Sequence, residues 1–123
     1  MMKIKTFQNA CKALKLDSQK VLPDFSQFPQ RYQKAIEAHA KLILIAEVLN
    51  EGWQPDWSHE NEKKYEPLFV MDNSFGGGFY LLASDIYDTT ISICGSRLCY
   101  KSEALCKYAA EQFAELYKES LTT

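Results

Sequence analysis

A run of apolar residues at helical spacing between Pro29 and Gly52 constrains the fold of this chain more than any other feature. One face of the run recurs every three or four positions and consists of Tyr32, Ala35, Ile36, His39, Leu42, Ile43, Ala46 and Leu49. This spacing predicts an amphipathic helix of about five turns. Pro29 suits its first position, because a helix start leaves that N–H unpaired. The C-terminal half is apolar nearly all round at Leu44, Ile45 and Val48, so we expect that end to be buried on two sides.

Two further helices are predicted, one on each side of the remaining chain. Thr6 can cap a first short helix that ends near Leu16, because a hydroxyl side chain accepts a hydrogen bond from the first turn. Ser102 can cap a C-terminal helix over residues 102–118 in the same way. The apolar stripes are Phe7, Ala10, Cys11 and Leu14 in the first helix and Leu105, Tyr108, Ala109, Gln112, Phe113, Leu116 and Tyr117 in the last. Each stripe predicts one buried helix face.

Segments rich in β-forming residues follow the long helix after a polar loop. They cover residues 65–71, 78–84, 90–94 and 97–101. The last two are joined by residues 95–96, and glycine in the first position of a two-residue loop favours a type II′ hairpin. That hairpin pairs Ile93 with Leu98. It also pairs Ile91 with Tyr100, and both pairs then fall on one buried face of the sheet.

This order of elements predicts a single α+β domain over residues 1–123. It consists of N-terminal helices, an antiparallel β-meander of three to four strands, and a C-terminal helix packed on the sheet. Apolar residues make up 46% of the chain and charged residues 24%. These fractions are typical of a globular protein and exclude a disordered or fibrous one.

Charge and hydropathy narrow the classes of function. The formal net charge is −2, so the chain lacks the global positive field that supplies most non-specific affinity for nucleic acid. The longest apolar run, residues 42–46, is far shorter than the roughly 20 residues of a membrane span. Residues 1–6 lack the hydrophobic core of a signal peptide. We therefore predict a cytoplasmic protein that has no membrane partner.

The four cysteines are predicted to be free, reduced thiols. They are Cys11, Cys94, Cys99 and Cys106. The last three are separated by four and six residues, which is not a ligand spacing typical of structural zinc sites. Small buried cysteines behave as ordinary apolar residues, and we predict neither a metal nor another cofactor. A disulfide or a metal site remains the alternative interpretation.

The chain contains none of the common catalytic or nucleotide-binding motifs. There is no GxGxxG, no Walker loop, no HExxH, no GxSxG and no CxxC. The triplet Gly76–Gly78 leads into a predicted strand, whereas phosphate loops lead into a helix, so it is interpreted as a hairpin turn. The two histidines, His39 and His59, are far apart in sequence, and a catalytic triad is difficult to assemble from them. An active site made of carboxylates remains open.

The best candidate for a partner-binding site is the loop that contains Trp53, Asp56 and Trp57. Two indoles on one loop are costly to leave in water unless they cover the core or contact a partner. In the structural interpretation Trp53 closes the end of the long helix and Trp57 covers the edge of the sheet. In the functional interpretation one ring stays exposed and anchors an interface.

A second candidate is a basic and aromatic cluster near the last hairpin and the start of the final helix. Its members are Arg97, Tyr100, Lys101 and Lys107. Amide groups at a helix N-terminus favour anions, so these residues are candidates for binding a phosphate or a nucleic acid. The alternative is an ordinary solvated surface.

Two segments resemble a family of uncharacterised small proteins from Bacteroides-type gut bacteria and their phages or mobile elements. They are residues 46–57, AEVLNEGWQPDW, and residues 95–102, GSRLCYKS. The resemblance implies no known activity, cofactor or catalytic residue. It does imply a phage or mobile-element role, and therefore a nucleic-acid or host-protein partner.

Taken together, these features predict a non-enzymatic binding or interaction module, with an unknown protein partner or self-association. Two alternatives remain: a nucleic-acid-binding accessory protein, and an enzyme with an unrecognised carboxylate site. The sequence names no ligand for any of the three.

Overall fold

The computed structural model describes residues 3–58, 62–70, 80–87 and 96–122. In chain order their elements are α1 (Phe7–Ala13), α2 (Gln30–Leu49), the strands β1 (Lys64–Val70) and β2 (Tyr80–Tyr87), a 3₁₀ turn (Ser96–Leu98), α3 (Glu103–Gln112) and α4 (Ala114–Thr122). The described part of the chain is therefore mostly helical.

The long helix predicted from residues 29–51 is confirmed as α2 and lies at the centre of the fold. Pro29 is its N-cap rather than its first helical residue, with an extended ψ of 131°. The helix buries Ala38, Leu42, Ile45, Ala46 and Leu49. Helix α1 packs against α2, and α4 packs against it as well. The apolar C-terminal half of α2 thus meets neighbours on more than one side, as its sequence predicts.

Helix α2 ends in a tight reversal that places the following loop. Asn50 is the C-cap, and Glu51 and Gly52 both have positive φ, at 52° and 82°. The amide of Gly52 donates to the carbonyl of Glu47, and the amide of Glu51 donates to that of Val48. This pair of hydrogen bonds is the Schellman motif. The reversal directs the chain back toward the buried end of α2 at Trp53.

The predicted α+β fold with a meander of three to four strands is wrong for the described residues. They contain one antiparallel pair, β1 with β2, whose register shifts between Leu68 and Phe69. The segment 97–101 is not a strand, because Ser96–Leu98 form a 3₁₀ turn. After the turn only an isolated antiparallel bridge forms, between Tyr100 and Tyr65.

The proposed hairpin partners need the same correction. Leu98 is 2% exposed and Tyr100 is not exposed at all. Both are buried as predicted, but they are buried in the core that the helices build. Leu98 belongs to the 3₁₀ turn and Tyr100 to the isolated bridge, so the two residues do not share a strand. Ile91, Ile93, Cys94, Gly95 and the triplet Gly76–Gly78 lie outside the described residues.

The C-terminal helix is capped by Ser102 as predicted but is broken in two at Phe113. The Ser102 hydroxyl accepts a hydrogen bond from the amide of Leu105 at 3.2 Å. Phe113 has φ −111° and ψ 30°, outside the helical range. The break lets α3 lie against β1 and β2 while α4 lies against α2. Phe113 and Tyr117 are both buried as a result.

The N-terminal segment closes the core from the other side. Thr6 caps α1 as predicted, with its hydroxyl accepting from the amide of Asn9 at 3.0 Å. Ile4 is buried, and its carbonyl accepts a hydrogen bond from the hydroxyl of Tyr108 on α3. Among the described helices none combines the length and the apolar character needed to cross a membrane.

Candidate binding pocket at the C-terminal end of α2

Asn50 joins the end of α2 to a distant part of the chain. Its side chain is buried, with the residue 4% exposed. The side-chain amide nitrogen donates to the carbonyl of Cys99 at 2.9 Å, and the amide oxygen accepts from the backbone N–H of Lys101 at 3.0 Å. The segment 99–101 is thereby held against the helix end. On the outside, Lys101 Nζ lies 3.3 Å from Glu51 Oε1.

A pocket of about 190 Å³ opens beside this junction. Its lining, in chain order, is Ile43, Glu47, Asn50, Trp53, Gln54, Pro55, Arg97 and Cys99. The apolar part comes from Ile43, Trp53 and Pro55, which are half-buried. Pockets that hold a whole small-molecule ligand usually measure roughly 300–1,000 Å³. This pocket has the size for one side chain rather than for a cofactor.

Two opposite charges lie at this pocket. Glu47 and Arg97 are both exposed, and both belong to the pocket lining. Neither forms an ion pair with any residue in the part of the chain that the structure describes. Because both residues are exposed, a partner can reach either charged group from solvent.

Cys99 lines the pocket as a protonated thiol. It is 1% exposed. Burial and, to a smaller extent, the charge of Glu66 raise the pKa of its thiol to about 12, although the charge of Lys64 acts in the opposite direction. A cysteine is nucleophilic as the thiolate. At neutral pH Cys99 is therefore a structural part of the pocket wall and does not act as a nucleophile.

Asp56 and Trp57, two of the three predicted partner-binding residues, lie in a network of their own. Asp56 Oδ1 accepts from the amide and the hydroxyl of Ser58 at 3.0 and 2.6 Å, which forms a local turn. Lys64, which is fully buried, has its Nζ 5.2 Å from the centre of the Trp57 ring. Glu62 accepts from the amide of Asp56 at 2.6 Å and lies 3.5 Å from Lys64 Nζ. These contacts attach the loop to β1.

The predicted basic and aromatic cluster is not one surface. Tyr100 is in the core, where its hydroxyl lies 2.8 Å from that of Tyr117. Lys101 has Glu51 as an ion-pair partner, and Lys107 is exposed on α3. Arg97 instead joins Trp53 at the pocket. The structure thus combines one residue from each of the two candidate sites that the sequence suggested separately.

Sequence reasoning missed an exposed aromatic group at the other end of α2. Phe28 and Tyr32 are 45% and 41% exposed, and their rings meet edge to face at 6.4 Å. The guanidinium of Arg31 lies 4.7 Å from the centre of the Tyr32 ring. Helical spacing placed Tyr32 on the inward face of α2. The polar residues that flank it, including Gln33 and Lys34, were the signal that this first turn extends beyond the core.

No cluster of three or more His, Cys, Asp or Glu residues that could hold a metal ion is found within residues 3–58, 62–70, 80–87 and 96–122. No protein-family model matches this chain, and no curated protein or solved structure is significantly similar to it. The family suggested by the segments 46–57 and 95–102 therefore stays a prediction.

Proposed function

We propose that the protein is a non-enzymatic binding module that receives a side chain of a protein partner in the pocket between Trp53 and Arg97. The observation that carries the proposal is that three separated parts of the chain build this pocket: the last turns of α2, residues 53–55 and residues 97–99. Asn50 hydrogen-bonds to the last of these parts. A pocket whose walls are held in this way needs little ordering when a partner binds, and this favours affinity.

The residue types at the pocket support a protein partner. Tryptophan and arginine are the residues most enriched among those that dominate binding energy at protein interfaces. They act where an apolar pocket is surrounded by a polar rim. Trp53 supplies the apolar wall here, and Glu47, Gln54 and Arg97 are the exposed polar residues around it. A host protein is a partner compatible with the phage or mobile-element role that the sequence resemblance implies.

The alternative of nucleic-acid binding has less support from the same residues. Stacking on a nucleobase needs an exposed aromatic face, and Tyr100 has none because it is fully buried. Contacts to phosphates need uncompensated cations. Of the predicted group, Lys101 is paired with Glu51, and the chain as a whole has a net charge of −2.

Selection from a random peptide display library tests the proposal, with the full-length chain immobilised as bait. We expect enriched peptides that lose at least about tenfold in affinity for Trp53→Ala, because truncation of a central interface tryptophan commonly costs more than 1.4 kcal/mol. Lys107→Ala is the matched control and should bind like the wild type. It removes a cation of the same candidate cluster that does not line the pocket.

Circular dichroism shows whether each variant keeps its fold. If the library yields no binder, or if the enriched peptides bind Trp53→Ala as tightly as the wild-type chain, the pocket is not the binding site and the proposal is wrong.

A further inference from the structure

We infer that the partner segment carries an apolar side chain with an acidic residue on one side and a basic residue on the other. The inference rests on the proposed function and adds the chemistry of the partner to it. The apolar residue follows from one part of the pocket of about 190 Å³, where the half-buried side chains of Ile43, Trp53 and Pro55 form an apolar wall beside polar lining residues. A single side chain of that character fills such a space and releases water from it.

The acidic neighbour follows from Arg97. The guanidinium group presents a planar fork of donors that matches a carboxylate with two parallel hydrogen bonds. Arg97 is exposed at the pocket and has no carboxylate within ion-pair distance among the described residues. The nearby cation Lys101 differs in this respect, since Glu51 lies 3.3 Å from it. An acidic group of a partner is therefore directed to Arg97.

The basic neighbour follows from Glu47. This carboxylate is on the same pocket lining and is exposed. It lies beyond ion-pair distance of Arg97, so the two charges remain available at the same time. A partner with two acidic residues would bring one of them near Glu47, and like charges held close together disfavour binding. A partner with one charge of each sign satisfies both residues.

A peptide segment is the occupant to which these observations lead, rather than a free amino acid. The charged residues are exposed at the rim, where the residues before and after an inserted side chain pass. Exposed ion pairs contribute little to affinity individually. The pattern of charges therefore determines which segment binds, while Trp53 supplies the greater part of the affinity.

Short capped peptides test the charge pattern. The probes are acetyl-Gly-Asp-Leu-Lys-Gly-amide and the peptide with Asp and Lys exchanged, so that neither terminus is charged and both orders are covered. Binding is followed by NMR through the indole N–H signals of Trp53 and Trp57. We expect one of the two orders to move the Trp53 signal, and replacement of its Asp by Asn, or of its Lys by Gln, to weaken binding about two- to fivefold.

Two protein variants test which residue of the pocket contacts each charge of the peptide. For the Arg97→Gln protein, replacing the peptide Asp by Asn should no longer weaken binding. For the Glu47→Gln protein, replacing the peptide Lys by Gln should no longer weaken binding. The effects should shrink as salt is added, because the charges are exposed. The Trp57 signal is the internal control, since that ring lies outside the pocket.

The outcomes separate this inference from the proposed function. The charge pattern is overturned, while the binding module stands, if a peptide with both Asp replaced by Asn and Lys replaced by Gln binds as tightly as the charged peptides. The same conclusion follows if the display library yields Trp53-dependent binders without charged neighbours. If neither order moves the Trp53 signal although a display binder does, the charge pattern is also wrong. If the library gives no Trp53-dependent binder at all, both proposals fail together.

Discussion

At the scale of single residues, Asn50 holds the pocket in shape through one buried and one partly buried hydrogen bond. We expect Asn50→Ala to destabilise the protein by about 2 to 4 kcal/mol, because the carbonyl of Cys99 loses a buried hydrogen bond and the N–H of Lys101 loses a partly buried one. The free energy of unfolding in urea measures this. Gln112→Ala is the matched control, since its amide also donates to a backbone carbonyl, that of Lys5, but is exposed.

The Gln112 variant should change the unfolding free energy by less than about 0.5 kcal/mol, as surface substitutions usually do. Asn50→Asp retains the acceptor for Lys101 but cannot donate to Cys99, and it places a carboxylate in a buried site against a carbonyl oxygen, so at neutral pH it should be no more stable than Asn50→Ala. Equal stabilities for Asn50→Ala and Gln112→Ala would show that the junction at the helix end is not supported by this side chain.

Cys99 gives the protein a pH dependence of stability in the alkaline range. Burial, the largest cause, raises the pKa of its thiol to about 12 from 9.0. The unfolded chain therefore loses this proton at a lower pH than the native one. The contribution to stability is complete below pH 9, and it is lost as the pH rises from 9 toward 12. The slope for one proton is at most about 1.4 kcal/mol per pH unit.

Comparison with Cys99→Ala isolates this contribution. The variant is expected to be less stable than the wild type at about pH 8, because it leaves a cavity. The stability of the variant should nevertheless fall less steeply up to about pH 10.5, as measured by urea unfolding at each pH. Cys11, whose pKa is also raised, chiefly by burial, is present in both proteins and cancels. Parallel pH profiles would contradict the expected ionisation of Cys99.

The residues of the candidate site could be predicted one by one, but their assembly could not. Trp53 and Arg97 each stand out in the sequence for their chemistry. Their meeting at one pocket depends on the hydrogen bonds of Asn50 to residues 99–101, which are about fifty positions away along the chain. No local pattern encodes such a contact. An asparagine that follows a helix is equally typical of a solvent-exposed cap.

At the scale of elements, α1 and α2 end in the same motif with an unfavourable residue at its left-handed position. Lys15 has φ 60° and Glu51 has φ 52°. A side chain in this conformation costs about 1–2 kcal/mol, whereas glycine has no such cost. We expect Lys15→Gly to stabilise the protein by about 0.5 to 1 kcal/mol, after allowance for the greater entropy of glycine in the unfolded chain. Thermal or urea unfolding measures this.

Glu51→Gly is the matched comparison for the same backbone effect. It relieves the same strain but removes the ion pair with Lys101, which contributes about 0–1 kcal/mol at an exposed position. Its net effect should be smaller than that of Lys15→Gly. A destabilising effect of Lys15→Gly would contradict strain at the left-handed position that ends α1.

The helices were predictable because their signals are local, whereas the error in the fold lies where the signal depends on distant contacts. Alternation of Leu98 and Tyr100 is typical of a strand, but a turn followed by one bridge residue buries the same two side chains. The break at Phe113 was also missed. Phe113 fits the apolar stripe of a continuous helix, and the break arises because α3 and α4 pack on different elements.

At the scale of the whole molecule, side chains of α3 and α4 hold the N-terminal segment, the strand pair and residues 99–101 together. The hydroxyl of Tyr108 donates to the carbonyl of Ile4, and the hydroxyls of Tyr100 and Tyr117 lie 2.8 Å apart. Tyr117, on α4, also packs against the ring of Phe69 on β1. The strand pair and the pocket segment therefore both depend on α4 for a buried partner.

Removal of α4 tests this dependence directly. A chain that ends after Gln112 lacks the buried residues Phe113 and Tyr117 and loses α4, one of the helices that pack against α2. Loss of two buried aromatic side chains costs about 3–5 kcal/mol each, which is comparable to the whole stability of a small domain. We expect this chain to lose its sigmoidal urea transition in both far-ultraviolet circular dichroism and tryptophan fluorescence.

A chain that ends after Lys118 retains both aromatic residues and should unfold cooperatively, with the two signals coincident. If the shorter chain keeps the wild-type transition midpoint, α4 is dispensable for the core.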